Sequence, residues 1–255
     1  MTIIKKRCLL WDWTNTANLP DSIENLNFNG PFSSVANWNA WAPPELKNRL
    51  PFRPTVRGMD QLTDPNEWGM ISNNEHAIIH YFNEPKRAGI SPEKAAEMWM
   101  EKMAPLRKEK GKKIVGPGCA SDPAGEKWLE EFMRRICGLG EPPDYLGLHY
   151  YGPDGGAAVE YVKKIHEKYP EYPVVVSEIA CICRDKKDVF KFTAQVANWM
   201  DECPWVFEYA FFGCMAKVAD DFVSPEAQLM NEDGTFKHLM KKLMNEQPVT
   251  ENWEK

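Results

Sequence analysis

Two glutamates in this 255-residue chain stand where a pair of carboxylates could act together. Glu84 follows an apolar run, Ala77 to Phe82, within the tetrapeptide Phe82-Asn83-Glu84-Pro85. Glu178 follows a second run, Val174 to Val176, in Ser177-Glu178. Each is placed to close a strand covered on both faces. Two carboxyl groups facing one another across a cleft are the apparatus of glycosidic bond cleavage. One protonates the leaving oxygen, and in retaining enzymes the other forms a covalent glycosyl intermediate. The pair is 94 residues apart, close to three βα units of about 32 residues in an eight-unit barrel of this length. If Glu84 ends the fourth strand, Glu178 ends the seventh, and both reach the C-terminal rim where barrel active sites form.

The elements needed to place them there can be counted. Strands are expected at Arg7–Trp13, Val35–Trp41, Pro54–Met59, Ala77–Phe82, Lys113–Gly116, Tyr145–Tyr150, Val174–Ile179 and Trp205–Phe212. In the second half they alternate with helices. Ser91-Pro92-Glu93 opens one with a cap, a first-turn proline and an acidic first turn. Asp122-Pro123 opens the next, and apolar residues at helical spacing mark two more around Val159–Ile165 and Val189–Trp199. A last helix is expected from Phe236 to Met244. The first half is different: Asn15 to Ser34 is rich in Asn, Pro and Gly, and Pro43, Pro44 and Pro51 interrupt the second connection. The expected fold is therefore an α/β (β/α)8 TIM barrel with reduced or missing helices around the first three strands, residues 1–255 forming one catalytic barrel. The polar tail from Glu246 to Lys255 is expected to pack loosely.

Roles follow from neighbours. Glu84 is expected as acid and base, and Glu178 as nucleophile. Asn83 is placed to bind the 2-hydroxyl of the reacting sugar, a contact that strengthens in the transition state. Pro85 stiffens the turn that aims Glu84. Repulsion between the carboxylates should raise the pKa of one of them. The sixth strand ends His149-Tyr150-Tyr151, from which one ring can hydrogen-bond the nucleophile and another can contact sugar. Trp11, Trp13, Trp38 and Trp41 lie at the ends of the first two strands, each with a core reading beside the sugar-stacking one. Glu208 lies inside the eighth strand and reads as a hydrogen-bonding group.

Composition narrows the classes of partner. A formal charge of -6 and a pI near 5.5 exclude the basic stripe of a nucleic-acid binder. No apolar stretch approaches the roughly 20 residues of a membrane helix. Met1 to Arg7 lacks the apolar segment of a secretion signal, so the chain reads as cytoplasmic as written or as a mature secreted form. Seven cysteines carry no zinc spacing and read as buried small apolar residues, with one cross-strand disulfide left open. No Gly-x-Ser-x-Gly, His-Glu-x-x-His or phosphate-cradling loop competes with the glutamate pair. The expected chemistry uses neither metal nor cofactor, and a monomer is expected.

Lys6-Arg7 before a Trp-containing first strand, Asn39 and Trp41, Phe82-Asn83-Glu84-Pro85, Leu148-His149-Tyr150-Tyr151 and Ser177-Glu178-Ile179 resemble glycoside hydrolase family 128. That family is also described as the Asl1-like glycosyl hydrolase catalytic domain. The resemblance spans Lys6 to about Leu243. It implies a compact barrel acting on β-1,3-glucan or laminari-oligosaccharides, with Glu84 as acid/base and Glu178 as nucleophile. The expected substrate contacts are Asn83, Asn39, Trp41, Trp11, His149, Tyr151 and Phe211. Phe211 stands where many members carry Trp, and Arg57-Gly58-Met59 where an apolar-Trp-Gly sequence is usual. Some branches bind oligosaccharides with little hydrolysis, which gives a second reading: a β-1,3-glucan oligosaccharide-binding protein.

Overall fold

The structure, a computed structural model, describes residues 2–75, 77–218 and 221–254. Eight strands are present among them: β1 (Arg7–Leu10), β2 (Phe32–Ala36), β3 (Thr55–Val56), β4 (Ile78–Tyr81), β5 (Lys113–Val115), β6 (Leu146–Gly152), β7 (Val174–Cys181) and β8 (Val206–Phe211). Every strand pair is parallel, in the orders β2-β1-β8-β7-β6 and β3-β4-β5. Isolated parallel bridges join the two sheets at both seams. Val35 bridges Phe52 on the way into β3, and Val115 bridges Tyr145 on the way into β6. At the first seam Arg53 N donates to Val35 O at 2.8 Å, and at the second Gly116 N donates to Tyr145 O at 2.8 Å. Strand neighbours thus follow the cyclic order of an eight-stranded barrel.

Helices are short where proline and glycine crowd the sequence. The early connections hold only α1 (Trp13–Asn18), α2 (Met59–Thr63), α3 (Pro65–Ser72) and brief 3-10 turns. From β4 onward they lengthen. The helix begun by α4 (Pro92–Met98) continues through one π turn, Trp99–Met103, into α5 (Ala104–Lys110). Pro105 has no N–H to keep the α ladder there. Then come α6 (Pro123–Gly138), α7 (Gly155–Lys168), α8 (Lys186–Glu202) and α9 (His238–Asn245). The side-chain oxygens of Asp122, Asp154 and Asp185 accept from first-turn N–H groups of α6, α7 and α8. Among the described residues no helix is long and apolar enough to cross a membrane.

Alternation along the strands sorts residues into two layers. Leu9, Val35, Ile79, Val174, Val176 and Tyr209 face the helices in the main core. Cys8, Leu10, Ala36 and Ala210 fill one part of the barrel interior, and Ile78, Val115 and Val175 another. Glu208 also points inside. Arg53 donates to it from Nε at 3.1 Å and Nη2 at 2.9 Å, and Ser34 Oγ at 2.7 Å. The third carboxylate is therefore a cross-barrel tie between β8 and the seam before β3.

All seven cysteines are free, so the disulfide left open does not form. One expectation, the loosely packed tail, is corrected. The tail after Glu246 is anchored through Val249 in the core and Trp253 packed against it, Lys255 lying outside the described residues. Val249 N donates to Asn198 Oδ1 at 2.7 Å, and Gln247 Nε2 reaches Asp201 Oδ2 at 2.9 Å.

At the foot of the barrel Arg7 is 1% exposed. It pairs with Asp201 at 2.6 Å and donates to Tyr209 Oη at 2.9 Å. Removing one partner of a buried pair leaves an uncompensated charge, at a cost of about 3–5 kcal/mol. Asp201→Asn should lose about that much in urea denaturation at pH 7, while Glu24→Gln, at an exposed pair with Arg49, should change stability by less than about 1 kcal/mol. Equal effects at the two sites would refute the assignment.

Candidate active site

A cleft of about 370 Å³ opens at the C-terminal ends of the strands, with Asp12, Trp13, Trp38, Asn39, Asn83, Glu84, Tyr151, Glu178 and Phe212 among its lining residues. Neither glutamate reaches it by regular alternation. In β7, Leu148 pairs with Val176 and His149 with Glu178, so Ser177 is an extra residue, a bulge. Strict alternation would put Glu178 with Val174 and Val176 against the helices. The bulge turns it inward, and Ile179 resumes the outer face. On the opposite side the backbone itself is bent out of the strand region. Phe82 has φ 44° and Glu84 φ 43°, both in the left-handed region that non-glycine residues avoid. Glu84 N donates to Gly118 O at 2.9 Å, which fixes the distorted strand end.

The two carboxylates meet at one ring. His149 Nδ1 lies 3.3 Å from Glu84 Oε1 and 3.5 Å from Glu178 Oε2. The imidazole is 1% exposed. It fits because residue 118 is glycine: a Cβ there would stand 2.5 Å from His149 Nε2. Glu178 also accepts from Trp38 Nε1 and from Tyr151 Oη, each at 2.6 Å. Burial, then the charge of Glu178, push the Tyr151 hydroxyl well above the usual tyrosine range, so it stays a donor. Trp38 reaches this position through a left-handed residue of its own, φ 59°.

Glu84 is held differently. Its second oxygen, Oε2, lies 3.1 Å from Arg87 Nη1. Burial raises the pKa of Glu84, but the hydrogen bond and charge of His149, with Arg87, outweigh it and hold the carboxyl below its ordinary value. The expectation that repulsion raises a carboxyl pKa is thus corrected for Glu84, because two cationic groups face it. For His149 the balance runs the other way. Burial opposes its charged form, yet Glu178 and Glu84 together raise its pKa.

The other candidates divide. Asn39, Asn83 and Tyr151 line the cleft. His149 lies beneath it, packed on the glutamates rather than open to a sugar. Trp11, Trp41 and Phe211 do not line the cleft. Trp11 is fully buried on the face of Leu9, its indole N–H donating to Glu45 Oε1 at 2.7 Å. Phe211 follows Tyr209 on the helix-facing side, and the next residue, Phe212, turns into the cleft. Trp41 lies outside the cleft lining because β2 ends at Ala36 and the chain bends at Trp38, which takes the inner position. Sequence reasoning missed Phe212 and Arg87, and it weighed Trp38 for sugar stacking or core rather than as a donor to Glu178. Alternation from Glu208 and Ala210 would have found Phe212. The turn that brings Arg87 back onto Glu84 carries no comparable signal.

A barrel carrying two glutamates on its C-terminal rim, at the ends of β4 and β7, defines a class: the barrel glycoside hydrolases. Over residues 11–242 the chain matches the family model described as glycosyl hydrolase catalytic core. It is similar to a solved exo-β-1,3-glucanase of glycoside hydrolase family 128, subgroup VI, from Aureobasidium namibiae. Identity is 50%, coverage is 98% of this chain and 100% of that one, and the TM-score is 0.95. An endo-β-1,3-glucanase of subgroup IV from Lentinula edodes matches at 25% identity, covering 94% and 98%, with a TM-score of 0.80. An oligosaccharide-binding protein of subgroup VII from Cryptococcus neoformans shares the fold at 19% identity, covering 94% and 93%, with a TM-score of 0.74. No curated protein matches the chain. The chain belongs to glycoside hydrolase family 128, a β-1,3-glucanase family.

The opposed shifts set a pH signature. Charged His149 contributes stability that is complete below the ordinary histidine pKa and lost as pH rises through its elevated value. Ionised Glu84 contributes stability present above the ordinary carboxylate pKa and lost as pH falls through its lowered value. In ¹⁵N NMR titrations His149 should therefore titrate above an ordinary histidine, and Glu84→Gln and Glu178→Gln should each lower its pKa. Titration below the ordinary value in the wild type would mean that burial prevails over the two glutamates.

Proposed function

We propose that this protein is a retaining β-1,3-glucanase that removes units from the ends of β-1,3-glucan chains or their oligosaccharides. Glu84 serves as general acid and base, and Glu178 as nucleophile. The observation that carries this reading is the convergence of both carboxylates on one buried nitrogen, His149 Nδ1, at 3.3 and 3.5 Å. Their two nearest oxygens are no farther apart than the sum of those distances. That ceiling accommodates the roughly 5–5.5 Å of double displacement.

In the first step the Glu84 carboxyl gives its proton to the glycosidic oxygen as the bond from that oxygen to C1 breaks. Glu178 forms a bond to C1 from the opposite face. In the second, Glu84, now ionised, takes a proton from water as the water oxygen bonds to C1 and Glu178 leaves with its electron pair. Trp38 and Tyr151 hold Glu178 in line for attack, and Asn83 is assigned to the 2-hydroxyl. Trp13 and Phe212 offer flat apolar faces to sugar rings. The substrate class and the exo mode are supported by family membership and by the relative at 50% identity, an exo-β-1,3-glucanase.

Glu84→Gln and Glu178→Gln should each reduce hydrolysis of laminari-oligosaccharides by at least about a thousandfold, from loss of proton transfer or of the covalent step. Proton NMR of the fresh product should show the β anomer first, and early products should be short and uniform rather than a ladder. An initial α anomer would remove Glu178 as nucleophile. A ladder of sizes would replace exo with endo action. Oligosaccharide binding without hydrolysis by the wild type would leave a binding protein in place of an enzyme.

A further inference from the structure

A second groove of about 510 Å³ leaves the cleft past Glu84, lined by Arg57, Gly58, Met59, Arg87 and Ile90. If Glu84 protonates the leaving oxygen, as proposed above and as this inference requires, the departing glucan chain must lie there. Arg87 stands at its mouth. Arg87 N and Ala88 N both donate to Glu84 O, at 2.9 and 3.1 Å, so a tight turn folds the arginine back over the glutamate. The side chain is 55% exposed and free to move on its solvent side. Two carboxylates stand within its reach. Glu84 Oε2 is 3.1 Å from Nη1, and Asp122 Oδ2 is 3.8 Å from Nη2. Asp122 spends its other oxygen capping α6, with Oδ1 accepting from Gly125 N at 2.8 Å. Oδ2 therefore faces Arg87 as a ready second partner.

With His149 on Oε1 and Arg87 on Oε2, both oxygens of Glu84 are engaged by donors. A proton on Oε2 competes with the guanidinium there and meets its positive charge, and His149 is locked by Gly118 and Glu178. Arg87 is the partner that can leave. We propose that Arg87 is a positioning residue that couples leaving-group occupancy to the proton on Glu84: it pairs with Glu84 in the free enzyme and passes to Asp122 when a sugar fills the groove. Bond cleavage needs Glu84 protonated, which the departure of Arg87 favours. Attack by water needs Glu84 ionised, and Arg87 returns once the leaving sugar has gone. The groups facing Glu84 are His149 on β6, Glu178 on β7 through that ring, Arg87, Asp122 at the start of α6, and the buried thiol of Cys119 after β5. Burial, then the charge of Glu84, keep that thiol protonated. Arg87 and Asp122 are the members of this set that lie at the surface.

The test compares pH profiles of kcat/KM, which reports the free enzyme, with those of kcat, which reports the complex. On laminari-oligosaccharides, Arg87→Ala and Arg87→Gln should move the alkaline limb of kcat/KM to higher pH and leave that of kcat nearly in place. Arg87→Lys should restore the wild-type limb. Asp122→Asn keeps the cap but removes the second partner, so it should move the alkaline limb of kcat to lower pH. A carboxyl ¹³C titration of the free protein, with Glu84 assigned by its loss in Glu84→Gln, should show the same upward movement in Arg87→Ala. An unchanged Glu84 titration in Arg87→Ala, or limbs of kcat and kcat/KM displaced equally, would overturn the proposal. Full activity in Glu84→Gln would instead overturn the assignment of the acid on which it rests.

Discussion

Two carboxylates brought close together repel, and the site depends on how that repulsion is offset. A buried imidazole between Glu84 and Glu178 does it, with its Nδ1 3.3 Å from an oxygen of the first and 3.5 Å from one of the second. Burial alone would favour a neutral ring. Two facing negative charges reverse that preference and raise the pKa of the ring, and the ring in turn lowers that of Glu84. The arrangement needs space on the far side of the ring, and Gly118 supplies it. It also needs β5 and β6 to stay in register at their seam, where His149 N donates to Cys119 O at 2.9 Å. A barrel seam made of isolated bridges is thus tied directly to the chemistry above it.

The same end of the barrel is where the chain departs from regular geometry. The bulge at Ser177 and the left-handed residues Trp38, Phe82 and Glu84 each break the alternation that the strands obey lower down. Left-handed conformations at such residues cost on the order of 1–3 kcal/mol each. They persist because the foot and interior of the barrel are over-determined. Arg7, Asp201 and Tyr209 lock β1 to β8 and α8, while Arg53, Glu208 and Ser34 span the interior. Each of these buried charges has its partner, so the strain at the rim does not spread into the layers that hold the barrel closed.

Much of this was legible in the residues. Buried parallel strands are continuous apolar runs, and helix starts at Asp122 and Ser91 carry their capping side chains in the sequence. The Pro- and Asn-rich early connections announced short helices. Glu84 and Glu178 stood out because each follows such a run. What failed was the choice of face. Trp11 and Phe211 share faces with Leu9 and Tyr209, both toward the helices, and strict alternation would have excluded them. For Glu178 alternation gives the wrong face, because a bulge leaves no composition signal. The position of Trp38 depends on a single left-handed residue, equally silent in the sequence. Arg87 needs a turn geometry and a second carboxylate, Asp122, that lies far along the chain.

The two glutamates end in opposite surroundings, and the contrast follows from the donors that hold them. Beyond the His149 ring that both share, Glu178 accepts from neutral groups on stiff rings, Trp38 and Tyr151. These belong to an aromatic cluster in which Phe212 packs edge-on against both, at 5.7 and 6.0 Å between centroids. Neutral donors on packed rings fix direction and do not move when charge on the carboxylate changes, which suits the role proposed for Glu178, forming and releasing one bond along one line. Glu84 faces a guanidinium at the surface, a strong donor on a long, flexible stem. A group held that way can have its proton affinity changed by moving one side chain. The acid/base role proposed for Glu84 calls for that freedom, and the wall of the cleft on its side is charged rather than aromatic.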